Sequence, residues 1–316
     1  MNKSAIALAV AAVLGVSAAY AETTLYGSAR GSLNYVDPDS TDFTDDDDDE
    51  NYWQLANNSS RLGVRGSEDL GGGLSAIYQY EFGVDLMDGS ASGVGGGRPH
   101  VLGLRGGFGT VSLGRQWTPY YNVMGLNDIF NNGFSFANYP GPFRVSSTLM
   151  YSSPDFAGLK AELMGSADGF VGGDDEQDVD THSAGIAYAN AGFTAGGAYF
   201  KDDVDGERLW GVALGYGADV WSVGFTFNKY ENNDEILELE DYMVAGSYSF
   251  GSNIIRASYA LNDYDDGGEV NFWQLGYQYN FSPRTRLWLE YVGVDADDDV
   301  PNTESSAVSI GMRHDF

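Results

Sequence analysis

Residues 221–228 read Trp221-Ser222-Val223-Gly224-Phe225-Thr226-Phe227-Asn228, and one parity of this run is large and apolar while the other is small and polar. Alternation with period 2 describes a strand whose two faces meet different solvents. The same split recurs in Trp210, Val212, Leu214 and Tyr216, and in Tyr242, Val244, Gly246, Tyr248 and Phe250. It returns in Trp273, Leu275, Tyr277, Tyr279 and Phe281 opposite Gln274, Gly276, Gln278 and Asn280. Helical periodicity appears nowhere at comparable length.

Working outward from these runs, the pattern predicts sixteen strands. The early ones span 24–36, 59–67, 73–84, 98–105, 110–117 and 144–152, and the last spans 305–316. Seven short connections rich in Gly, Pro and Asn alternate without exception with eight longer segments. A soluble sandwich has no reason to keep that order. An outer-membrane barrel does, because it has an even strand number, short periplasmic turns and long extracellular loops. The predicted fold is therefore all-β, a 16-stranded antiparallel transmembrane β-barrel, with both termini on the periplasmic side.

Composition narrows the function classes. The chain has 316 residues, with 43 Gly, 21 Tyr, 17 Phe and no Cys. Disulfides, zinc-thiolate sites, Fe–S clusters and cysteine nucleophiles are thereby excluded. Sixteen Lys and Arg against 46 Asp and Glu give a formal net charge of −30, which opposes nucleic acid because phosphate binding needs clustered basic residues. Thirty-two of the 46 carboxylates fall in or beside the long segments, nine of them between 37 and 50. Asp45 to Asp49 with Glu50 invite a calcium reading, but the run lacks the spaced ligands and Gly of an EF-hand loop, so it reads as a solvated acidic loop and no metal site is assigned.

Lys3, the apolar stretch Ala5 to Ala19 and Ala19-Tyr20-Ala21 read as the three regions of a signal peptide. The predicted division is 1–21 as signal peptide and 22–316 as barrel. Catalytic readings find little support. His100, His182 and His314 fall on three different predicted strands, and no G-x-S-x-G sequence accompanies them. Gly71-Gly72-Gly73 and Gly95-Gly96-Gly97 open no helix and carry no following Lys, so they read as turns rather than phosphate loops.

Several segments resemble the Gram-negative general porin family, the trimeric diffusion channels of the outer membrane. They are Thr24-Leu25-Tyr26-Gly27, SRLGVRGSEDLGGGL (Ser60 to Leu74), VLGLRGGFGTVSLGRQWTP (Val101 to Pro119) and GMRHDF (Gly311 to Phe316). The resemblance covers the chain beyond the signal peptide. It implies a homotrimer in outer-membrane lipid, passive diffusion of ions and small hydrophilic solutes, no cofactor and no turnover. It also implies that terminal Phe316 is the signal read by the barrel-assembly machinery.

The resemblance further implies a third loop, about Tyr120 to Phe143, folded into the lumen with Asp128 as its carboxylate. A basic cluster on the facing wall would complete the constriction. Parity on the second strand sets Arg61 and Arg65 opposite Leu62 and Val64, hence inward, and Arg144, Arg98 and Arg30 take the same side. Asn131 and Asn132 stand where many relatives place a second carboxylate, so the negative half of the constriction reads as thin. Leu102 and Leu104 share the parity of Arg98 and are expected inward against the polar pattern. Arg115 shares the outward side of Val111, Leu113 and Trp117. An outward Arg at mid-membrane costs about 2–4 kcal/mol, so Arg115 predicts an oligomer interface. Trp53, Trp117 and Tyr291 are expected in the interfacial girdles. Two alternatives stand beside the open channel: an anion- or solute-selective porin using the lumen arginines, and a plugged structural or surface-recognition barrel.

Overall fold

The computed structural model describes residues 21–38, 51–91, 97–132, 139–167, 179–232, 237–265, 267–297 and 305–316. The predicted signal peptide and the run Asp45 to Glu50 lie outside the described residues. The strands are β1 (Ala21–Pro38), β2 (Tyr52–Asn57 and Arg61–Gly71), β3 (Leu74–Gly83), β4 (His100–Gly106), β5 (Gly109–Trp117), β6 (Arg144–Ser152), β7 (Leu159–Ser166) and β8 (Thr181–Asn190). They continue as β9 (Phe193–Asp202), β10 (Glu207–Gly217), β11 (Trp221–Asn232), β12 (Leu237–Phe250), β13 (Asn253–Tyr264), β14 (Glu269–Ser282), β15 (Thr285–Ala296) and β16 (Ser305–Asp315). Each strand pairs antiparallel with the next, and β1 closes on β16 from Ser28 opposite Asp315 to Pro38 opposite Ser305. Closure leaves no unpaired edge in the bilayer, the condition any spanning sheet must meet.

The two segments of β2 form one strand with an interruption. Arg61–Gly71 pairs with the lower half of β1, and Tyr52–Asn57 pairs with its upper half. Between them Ser59 takes φ 62°, and side chains replace ladder bonds: Arg30 N donates to Ser60 Oγ, and Ser60 Oγ donates to Arg30 O. The strand thus begins earlier than the predicted 59–67. Its upper segment follows directly on the carboxylate run, which reads as loop. The short turns behave as their residues dictate. At Ala191-Gly192 both φ values are positive, 51° and 84°, the backbone of a tight two-residue hairpin.

Large apolar side chains cover the outside, and ring pairs Tyr35–Trp53 and Trp273–Tyr291 sit in its upper rows. Expectations about direction fail at two places. Leu102 pairs with Tyr78 and Leu113, and Leu104 with Ala76 and Val111, so both belong to outward rows, with exposures of 51% and 44%. Strand β4 starts at His100, and Pro99 separates it from Arg98, so the inward direction of Arg98 does not propagate along the strand. On β6 one extra residue, with Ser147 at φ 54°, bulges against Gly114–Gln116. Beyond it Val145 packs inward, and Trp117, expected in the outer girdle, stacks on Tyr121 of the inserted loop.

The buried apolar core lies inside the lumen. Helix α1 (Pro119–Met124) and the 3-10 turn Gly125–Asn127 place Tyr120, Val123 and Met124 against Phe200, Leu209, Met243 and Ala245 of the inner wall. Glycines on that wall make room for the loop. A Cβ on Gly196 would lie 2.7 Å from Val123 Cγ1, and one on Gly224 only 2.3 Å from Asn127 Oδ1.

Candidate pore constriction

The inserted loop begins and ends at one neck. Thr118 caps α1 by accepting from Tyr121 N at 3.0 Å, while its own N donates to Phe143 O and its hydroxyl to Pro142 O. The loop therefore spans the predicted Tyr120 to Phe143, of which 133–138 lie outside the described residues. Polar anchors carry it around the wall. Tyr120 hydroxyl donates to Asn228 Oδ1 at 2.6 Å, and Asn127 Nδ2 donates to Thr226 Oγ1 and Met243 O. The far anchor is Glu290 on β15, whose buried carboxylate accepts from Asn131 N, Asn131 Nδ2 and Asn132 N at 2.8–3.0 Å. The two asparagines, standing where many relatives place a second carboxylate, thus grip a carboxylate of the wall.

Across the lumen stands a basic wall. Arg61 Nε lies 3.7 Å and Arg98 Nη1 3.5 Å from the two oxygens of Glu81, which also accepts from Tyr26 hydroxyl at 2.9 Å. Arg98 Nη2 donates to Ser59 O, the carbonyl freed by the break in β2. Arg144 lies 3.8 Å from the Trp117 ring and donates to Gly97 O. Trp117 stacks on Tyr121 at 4.8 Å, and Tyr121 hydroxyl donates to Asp128 Oδ2 at 2.6 Å. Asp128 in turn feels the positive charge of Arg30. Asp128 opens onto lumen water, and the protein around it raises its pKa from the ordinary carboxylate value, against the opposing pull of Tyr121 and Arg30.

The structure therefore gathers Arg30, Arg61, Arg98, Arg144 and Asp128 around one gap. Arg65 stands apart, nearer the periplasmic turn, with its guanidinium 5.0 Å from the Tyr26 ring. Arg115 pairs with outward His100 and donates to Ser146 Oγ at 2.6 Å. Sequence reading missed Glu81 and Glu290. Both were accessible by parity, Glu81 opposite Tyr80 and Phe82, and Glu290 opposite Leu289 and Tyr291, but nothing in a single strand reveals which charges meet across the lumen.

A closed barrel with an apolar exterior, a polar interior and an inserted loop that narrows the lumen is a transmembrane channel of the water-filled kind. Residues 5–299 match the family model described as Gram-negative porin, and the chain belongs to that family. It is 28% identical to outer membrane porin protein 32 of Delftia acidovorans over the whole of both chains. It is 27% identical to the major outer membrane protein P.IB of Neisseria meningitidis serogroup B, again over the whole of both. Its fold is shared with an anion-selective porin from Comamonas acidovorans, at TM-score 0.78 and 23% identity, covering 94% of this chain and 100% of that one. The protein is an outer-membrane porin, a channel for passive diffusion of ions and small hydrophilic solutes.

Proposed function

We propose that the channel favours anions, with Arg30, Arg61, Arg98 and Arg144 setting the preference at the constriction. The observation that carries this reading is the imbalance of fixed charge. Glu81 is shared by two arginines, Glu290 is taken up by the loop, and Asp128 remains as the loop's carboxylate in the gap. Charged rings and pore width set selectivity in such paths. The related fold of the Comamonas protein, described as anion-selective, is consistent with it. Reversal potential across a KCl gradient tests the reading: a sign set by chloride supports it. A sign set by potassium would assign control to the acidic extracellular segments, and silence from folded protein would indicate a plugged barrel.

The same reading makes the protein a homotrimer, with Arg115 at the subunit interface, since protein contact would relieve the cost of an outward arginine. Crosslinking in native detergent extract that yields only monomer would refute it. Residues 1–21 act as a cleaved signal peptide, so sequencing of the mature N-terminus returns Glu22. Phe316 acts as the assembly signal, and its place supports this, since its N and O bond Gly27 O and N where the barrel closes. No turnover is assigned. His100 lies against Glu81 O, His182 beside Asp203 and His314 beside Thr285, three separate neighbourhoods. Lipase assay of the purified protein tests that assignment, and turnover lost in a His314→Ala variant would overturn it.

A further inference from the structure

A second basic group lies below the constriction. Arg30 on β1 stands directly opposite Arg313 on β16, and Arg313 directly opposite Arg286 on β15. All three share the lumen phase, since Leu33, Met312 and Leu287 hold the outward rows. Directly opposed residues have Cβ atoms about 4.5–5.5 Å apart, and like charges in that position are destabilising. Folding alone therefore disfavours three arginines in one row. Asp315 offsets part of the charge, accepting from Arg286 Nη2 at 2.9 Å and from Arg313 Nε at 2.8 Å. Arg30 Nε is held by Ser28 Oγ at 2.8 Å. Three guanidinium groups stand against Asp315 in the row and Asp128 of the loop facing Arg30, so the row keeps a net positive charge.

Position makes the row part of the solute path. Arg286 lies near the periplasmic turn Ser282–Thr285, whereas Arg30 lies in the middle of β1 and reaches Arg61 and Arg98 electrostatically. Because barrel strands tilt by about 35–45°, a hydrogen-bonded row climbs along the wall. This one climbs from the periplasmic mouth to the constriction. The Arg286 and Arg313 side chains each keep 22% of their surface open, so their remaining donors meet lumen water. Guanidinium forks match oxyanions in geometry as well as charge.

We infer that the Arg286–Arg313–Arg30 row is a binding station for small divalent oxyanions at the periplasmic end of the path. This rests on the open-channel reading above. The test uses the full protein in planar bilayers in KCl at constant ionic strength, with sulfate added to either side. Sulfate is expected to reduce chloride current saturably. In the Arg286→Gln/Arg313→Gln double variant the half-blocking concentration should rise by roughly tenfold or more, as for loss of hydrogen bonds to charged groups. Asp315→Asn, which adds one net positive charge to the row, should tighten the block and keeps the inference testable if the double variant fails to assemble. Arg208→Gln, at a rim ion pair with Glu231, should block like the parent. Current that falls linearly with sulfate, or a saturable block unchanged in both the double variant and Asp315→Asn, would overturn the station while leaving the channel standing. Absence of any conductance would overturn the open-channel reading and the station with it.

Discussion

The two halves of the inner wall solve opposite problems. From β8 to β12 the wall seats the loop, with Phe200, Leu209 and Met243 and several glycines against α1 and the 3-10 turn, and with tyrosine hydroxyl and asparagine amide groups fixing the loop in place. From β16 through β1 to β2, and on to Arg98 and Arg144, it is rich in arginine. The first half gains stability from burial, as the interior of a soluble domain does. The second half gives up such burial to hold charges at the edge of a water path, where they act on passing ions. The lumen is therefore part core and part channel, and the loop is the boundary between them.

The largest expected effect comes from cutting the loop from its far anchor. In Glu290→Ala, Asn131 N and Asn132 N lose their acceptor while Asn131 Nδ2 keeps only Gln278 Oε1, and the unsatisfied donors cost on the order of 3 kcal/mol together. The temperature at which the folded form survives in detergent should fall, and single-channel conductance should rise or become noisy as the loop leaves the wall. Glu290→Gln keeps one acceptor oxygen and should fall between. Unchanged conductance and heat resistance in Glu290→Ala would show that the apolar seat alone fixes the loop.

The division between the two halves was only partly legible in the sequence. Strand number and the order of short and long connections follow from period 2 and turn residues, because these are local, while the third loop and its bounds come with the resemblance to the porin family. Parity also sets Arg30, Arg61 and Arg98 on the side where Glu81 and Asp128 stand, whereas the bulge on β6 turns Val145 inward and puts Arg144 in the row of Trp117. The errors at Leu102 and Leu104 arise where Pro99 resets the phase, and the one at Trp117 arises at the end of β5, where the chain turns into the inserted loop. The pairing of Asn131 and Asn132 with Glu290 joins residues 158 or more positions apart. The row Arg286–Arg313–Arg30 exists only because the barrel closes β16 onto β1. Register is the missing information, and it is set by turns and closure rather than by any one strand.

A smaller effect follows from removing the carboxylate that Arg61 and Arg98 share. Glu81→Gln keeps the shape and an acceptor for Tyr26 but leaves the arginine pair uncompensated. A unit charge about 6 Å from an ion in a water-like medium acts with about 0.7 kcal/mol, roughly a threefold change for either ion. The anion-to-cation permeability ratio should therefore rise by several-fold at low salt, with less change at high salt, where screening shortens the reach of each charge. A ratio that stays constant would mean that Glu81 lies outside the reach of passing ions and only holds the arginines in place.

Asp128 gives the smallest effect and the sharpest sign. Its carboxyl takes up a proton at a pH above the ordinary carboxylate value, and the protonated form no longer offsets Arg30. As pH falls through that point the loop side loses negative charge, so the permeability ratio should move further toward anions, by about threefold if Asp128 acts on each ion with about half the energy of Glu81. Asp128→Asn should hold the acid value at all pH and abolish the step. Tyr121→Phe separates the two contributions to the shift, since it removes the hydroxyl that favours the ionised carboxylate and should move the step to higher pH without erasing it. A step that persists in Asp128→Asn would belong to another group and overturn the assignment to the loop.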